Sequence, residues 1–94
     1  MAEHRIRYFG TATGRVQGVG FRMFVQQHAI ECGVTGWVRN MEDGSVTMEL
    51  QGTEKQLEAL SAAIRKGNFF IRVQTFSLED RPLVSEENGF KIRY

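Results

Sequence analysis

The sequence predicts an α+β fold in which an antiparallel sheet carries two helices on one face. Two observations carry that prediction. Hydrophobic spacing switches between strand-like alternation and helical repeat in the order βαββαβ, followed by a final short strand, and each helical stretch has its own start and stop residues. The chain has 94 residues, one cysteine and a single proline, Pro82, near a late turn. That length suits one domain over residues 1–94 with one modest core. No repeat, linker or low-complexity run divides it.

Residues 5–13 alternate Ile6 and Tyr8 with arginines and continue into small and β-branched residues, the pattern of a strand. After the glycine-rich stretch the period changes. Phe21, Phe24, Val25, His28, Ala29 and Cys32 fall on one face of an amphipathic helix, and Gly33 supplies its stop. The runs VTGWVRN and SVTMELQG are β-rich and joined by MEDG, whose Asp43-Gly44 is a hairpin signal. In the second run Val46, Met48 and Leu50 point one way, while Ser45, Thr47 and Glu49 point the other. Thr53 to Gln56 reads as a capping box before the stripe Leu57, Leu60 and Ile64, and Gly67 ends that helix. FFIRVQTFSL, from Phe69, reads as the fourth strand, and FKIRY closes the chain with Phe90, Ile92 and Tyr94 in alternation. This order describes the ferredoxin-like, split βαβ sandwich. Many functions use it, so function is read from the site.

Composition excludes several classes. A hydrophobic fraction of 41% and a charged fraction of 24% are globular values. Cys32 is alone, so it forms no internal disulfide, and no clustered Cys/His spacing announces a metal. The N-terminus MAEHRIRY lacks an apolar leader, and nothing approaches the ~18 apolar residues of a membrane span. A cytoplasmic protein with no membrane partner is the expectation. The net charge of +1, with both signs interspersed, argues against a nucleic-acid surface. A small anion needs only a local positive site.

That site is sought in GRVQGVGFR, Gly14 to Arg22. Glycines between a strand and a helix reach φ > 0 conformations that turn successive N–H groups inward as an anion nest. The helix start adds unpaired N–H groups and the positive end of its dipole. Arg22 is an awkward neighbour for that dipole unless an anion lies between them, and phosphate suits both amides and guanidinium. Spacing alone leaves a second reading open, in which the glycines serve only the turn. The run lacks the Lys-Ser/Thr ending of a P-loop, and Met23 stands where the third glycine of a dinucleotide motif belongs.

GRVQGVGFR followed after one helix by GWVRNMEDGSV resembles the acylphosphatase family, and the likeness spans nearly the whole chain. The resemblance implies hydrolysis of small-molecule acyl phosphates to a carboxylate and phosphate by a monomer without cofactor or metal, with phosphate as product and inhibitor. It implies that the amides of Gln17, Gly18, Val19, Gly20 and Phe21 and the side chain of Arg22 hold the phosphate, while Asn40 orients the water. The sequence departs from the family at Asn68-Phe69-Phe70, where a proline-containing turn is common.

The chemistry is compatible with so few groups. The leaving carboxylate has a pKa near ~4, so it departs without a strong general acid. A loose phosphoryl-transfer transition state leaves positioning and charge stabilisation as the protein's task. The substrate's own phosphate oxygen is expected to take the proton of the water. Asn40 has a competing reading as a turn cap, but in the split βαβ plan its strand is parallel to the first, which brings both carboxyl ends to one side.

Other polar and aromatic residues are assigned to structure. His28 is expected on the buried side of the first helix, Cys32 as a small buried hydrophobe, and Trp37 as packing. Glu42 and Asp43 belong to the hairpin turn, and Arg15 and Arg39 are solvated and outside the site. An RNA-recognition module shares the element order, but SVTMELQG has none of the aromatics its third strand would need. A non-catalytic phosphate-sensing domain of the same fold is the remaining alternative. Larger carbamoyl-transferring proteins contain such domains, whereas this chain is expected to stand alone.

Overall fold

The structure, a computed structural model, describes residues 4–94, so the first three residues of the predicted domain and of the N-terminal stretch MAEHRIRY lie outside the described residues. Strand β1 (Arg5–Arg15) leads to helix α1 (Phe21–Cys32), then β2 (Thr35–Asn40) and β3 (Val46–Thr53). Helix α2 (Glu54–Lys66) precedes β4 (Arg72–Arg81) and the short β5 (Phe90–Arg93). The strands form one sheet in the order β4-β1-β3-β2-β5.

The predicted sandwich is present, with one correction. The sheet is mixed, because β5 pairs parallel to β2 while the other pairings are antiparallel. The route of the chain accounts for this. Strand β4 ends beside the start of β1, with Arg81 opposite Arg7. The 82–89 segment carries the chain to the far edge, where Gly36 N–H donates to the Gly89 carbonyl and β5 enters alongside the start of β2.

Alternation places Ala12, Val38, Met48, Leu50, Phe76 and Phe90 on the covered face, against Phe21, Val25 and Ala29 of α1 and Leu57, Leu60 and Ile64 of α2. The capping box of α2 forms as expected: Thr53 Oγ1 accepts from Gln56 N–H at 3.2 Å, and Gln56 Oε1 accepts from Thr53 N–H at 2.9 Å. Gly33 ends α1 in the left-handed region at φ 78°, its N–H donating back to the last turn.

Two further expectations change. Phe69 and Phe70 precede β4 instead of opening it, because the Asn68 side chain accepts from the Phe70 and Ile71 amides and turns the chain there. His28 lies on the flank of α1 and not in its buried stripe: its side chain is 36% exposed, and its ring meets Phe24 edge-on at 4.5 Å.

The uncovered face of the sheet contains a buried cation. Arg7 Nε donates to Glu49 at 2.6 Å and Nη1 donates to Glu87 at 2.8 Å and to Gln51 Oε1 at 3.1 Å. Gln51 exchanges two hydrogen bonds with the Val84 backbone, each at 2.9 Å. This network ties the 82–89 segment to β1 and β3. Thr47 and Gln51 are buried on this face, so β3 is more enclosed than its alternation predicted.

Burial pushes the Glu87 carboxyl up, but the hydrogen bonds from Arg7 and the charges of Arg7 and Arg93 outweigh it and hold the carboxyl below its usual range. A carboxyl with a depressed folded-state pKa stabilises the fold above its unfolded value of ~4.3, and that stabilisation is lost as pH falls through the folded value. Glu87→Gln should therefore be less stable at pH 7 by ~1–2 kcal/mol and lose less on acidification below pH ~4.3 than the parent chain. Urea melts at both pH values check this; parallel acid slopes for the two proteins would contradict it.

Candidate active site

The cavity that matters opens where β1 gives way to α1. The chain leaves the sheet after Arg15, and Gly18 and Gly20 both adopt left-handed backbone, at φ 73° and φ 77°. Gly20 is the N-cap of α1 and offers no side-chain acceptor to the first helical amides; the first turn also lacks an acidic residue. Helix α2 has both, in Thr53 and Glu54. The amide end of α1 is therefore left electrostatically positive and open, as an anion would require.

Register places Asn40 opposite this end. Ala12 of β1 and Asn40 of β2 both pair with Val46 of β3, so the carboxyl ends of β1 and β2 reach the same level of the sheet. A cavity of about 220 Å³ is lined by Gly18, Gly20, Arg22 and Asn40 and walled by Val16, Phe21, Met23, Ile92 and Tyr94. Asn40 Oδ1 is enclosed and has no hydrogen-bond partner among the described residues. An unpaired buried acceptor costs ~1–3 kcal/mol, so its position favours a use for the lone pairs.

Arg22 enters the cavity from the first turn of α1. Its Nη1 donates to the Arg93 carbonyl at 3.2 Å, and its guanidinium lies 4.7 Å from the centre of the Tyr94 ring. Two groups from the end of β5 thus fix the direction of a charge that the helix dipole opposes. A guanidinium held this way keeps donors free for an anion at the open amides.

Of the predicted site residues, Gly18, Gly20, Phe21, Arg22 and Asn40 line this one cavity. Val19 packs partly against the core. Gln17 lies in the loop, and its side chain has a role the sequence did not reveal. Gln17 Nε2 donates to the Met41 carbonyl at 2.7 Å and to the Ser45 carbonyl at 2.9 Å, latching the glycine loop to the hairpin that follows Asn40. Tyr94 and the Arg93 carbonyl were also missed as partners of Arg22. The alternation of FKIRY carried the signal, since it sends Tyr94 to the same face as Phe90 and Ile92.

Residues set aside behave accordingly. Asp43 Oδ1 accepts from Ser45 N–H at 2.9 Å and from its hydroxyl at 2.6 Å, and these bonds hold its carboxyl below the usual range. Glu42 is exposed in the same turn, and Arg15 and Arg39 are exposed on strands. Trp37 packs on the sheet surface, edge-on to Phe9 at 6.4 Å and beneath the Arg93 guanidinium at 4.8 Å. Cys32 is half-buried; burial, reinforced by Glu31, pushes its thiol up, which disfavours the nucleophilic thiolate. Among the described residues no group of His, Cys, Asp and Glu is arranged to hold a metal ion.

Comparison with known proteins converges on one family. The acylphosphatase family model matches residues 8–92. An acylphosphatase from Geobacillus kaustophilus is 47% identical over 81 residues, covering 86% of each chain. The crystal structure of acylphosphatase from Bacillus subtilis superposes with a TM-score of 0.89 at 36% identity, covering 95% of this chain and 99% of that one. Full-length HypF in its phosphate- and nucleotide-bound form gives a TM-score of 0.90 at 28% identity; the match covers all of this chain and 12% of HypF.

The latch is testable. Gln17→Ala removes two hydrogen bonds from a partly exposed site and should cost ~1 kcal/mol, lowering the melting temperature by ~4–8 °C. A melt within about 1 °C of the parent would show that the latch contributes nothing.

Proposed function

The chain belongs to the acylphosphatase family, and on that footing we propose that it hydrolyses the carboxyl-phosphate bond of small acyl phosphates at the cavity between α1 and the ends of β1 and β2. The enclosed, unpartnered Asn40 Oδ1 facing the open amide end of α1 carries this reading. The phosphoryl group is seated on the amides of residues 17–21, with Arg22 donating to its oxygens. Its acyl end then meets Met23, Ile92 and Tyr94, a mostly apolar wall.

Asn40 accepts a hydrogen bond from the attacking water and so fixes its approach to phosphorus. The amides and Arg22 stabilise charge on the phosphoryl oxygens as the carboxylate departs. The leaving group needs no protonation, and the water's proton passes to a phosphate oxygen. His28, on the flank of α1, has no part in this scheme. Inorganic phosphate occupies the same cradle as product and competitive inhibitor. Residues 1–94 form one domain, and the working form is a cytoplasmic monomer needing neither metal nor cofactor. Among the described residues no helix is long and apolar enough to cross a membrane.

The alternative, a domain that senses phosphate without turnover, has the same cradle in its favour but gives the Asn40 acceptor no task. Turnover separates the two. With benzoyl phosphate as substrate and a chelator present, the protein should hydrolyse well above the spontaneous rate and be inhibited competitively by phosphate. Arg22→Ala should lower kcat/KM by ~10²–10³ and raise the phosphate inhibition constant together. Asn40→Ala should lose ~10²-fold in kcat while that constant stays within about twofold. Equal loss of rate and affinity in Asn40→Ala would remove Asn40 from the water-orienting role, and absent turnover by folded, phosphate-binding protein would favour the sensor.

A further inference from the structure

The connection between α2 and β4 presents a feature that the active site does not use. Phe69 is 85% exposed and Phe70 62%, their rings edge-to-face at 5.2 Å. A loose loop does not account for this. Asn68 Oδ1 accepts from the Phe70 and Ile71 amides at 2.9 Å each, Asn68 N–H donates to the Ile71 carbonyl at 3.3 Å, and the buried Ile71 anchors the base. The turn holds both rings outward. It also satisfies the amides of Phe70 and Ile71 internally, which lowers the cost of moving the tip out of water.

The surroundings are uniformly basic. Arg65 and Lys66 precede the tip and Arg72 follows it, and no Asp or Glu occurs between Ala59 and Leu78. Arg15 adds a further cation as the register partner of Arg72. We propose that this tip docks the protein peripherally on an anionic phospholipid bilayer, with Phe69 and Phe70 entering the headgroup region and the basic collar facing lipid phosphates. A second copy of this chain would meet collar with collar and be repelled. Two projecting rings also offer far less than the ~800 Å² per partner of a stable protein interface, whereas interfacial insertion needs a depth of only ~5–10 Å. The expectation of no membrane partner rested on the lack of a spanning segment, and peripheral docking needs none. Because Arg72 pairs with Arg15, at the end of β1 from which the glycine loop departs, docking would turn the cavity end of the sheet toward the bilayer.

The test is flotation of the full chain with phosphatidylcholine vesicles, with and without about one-third phosphatidylserine. At low salt the chain should bind the anionic vesicles about tenfold or more tightly than the neutral ones, and high salt should weaken that binding. Phe69→Ser/Phe70→Ser should abolish flotation with the melting temperature unchanged. Lys66→Gln/Arg72→Gln should erase the preference for anionic lipid, and it decides the matter if the serine pair does not fold. Flotation with neither vesicle, or undiminished flotation of either variant, would overturn the proposal. Binding to polyglutamate in place of vesicles would assign the tip to an acidic protein and overturn it equally.

Discussion

The organisation of this protein depends on one helix end left uncapped. Every other helix terminus is closed locally: α2 by its capping box at Thr53 and by Gly67, and α1 at its far end by Gly33. The start of α1 instead follows two left-handed glycines and has no side-chain acceptor or acid in its first turn, with Arg22 added to the same region. Left to itself this arrangement concentrates positive potential, because the dipole and the guanidinium have the same sign. A phosphoryl group bound there would remove the conflict. Local stability is given up at one point, where an anion would restore it.

The sheet supplies the second half of the site through register. Because β1 and β2 flank β3 in the same direction, Ala12, Val46 and Asn40 fall in one row, and the Gln17 latch joins the glycine loop to the hairpin beyond Asn40. The third contribution comes from the end of the chain. The network around Arg7 ties down the 82–89 segment, which delivers β5 to the edge beside β2. There the Arg93 carbonyl and the Tyr94 ring direct Arg22. A cluster on the uncovered face near the start of β1 therefore supports an arginine at the other end of the sheet.

Much of this was legible because it is local. The period switch at Phe21, the Asp43-Gly44 turn and the Thr53–Gln56 box each depend on residues within four positions of one another, and each formed as read. What escaped depends on long-range placement. Parallel pairing of β5 follows from the path of an irregular segment that has no periodicity to read. The buried Arg7 looked like an outward residue of an ordinary strand, since its partners Glu49 and Glu87 are far along the chain. Phe69 and Phe70 scored as strand by β propensity, but the Asn68 side chain overrode it. At the site, the glycines and Arg22 announced an anion through chemistry within one short motif. Asn40 gained its meaning only from the row it shares with Ala12, the alternation of FKIRY gave the face of Tyr94 but not its partner Arg22, and Gln17 had no local signal of its role.

The central claim is that the 17–21 amides and Arg22 form a phosphate cradle. Amide chemical shifts of ¹⁵N-labelled protein, followed while inorganic phosphate is added, test it most directly. The account predicts saturable shifts concentrated in residues 17–22 and near Asn40, with little change in α2 or β4. Shifts scattered over the basic surface, or centred on Arg65, Lys66 and Arg72 with the glycine loop silent, would contradict it.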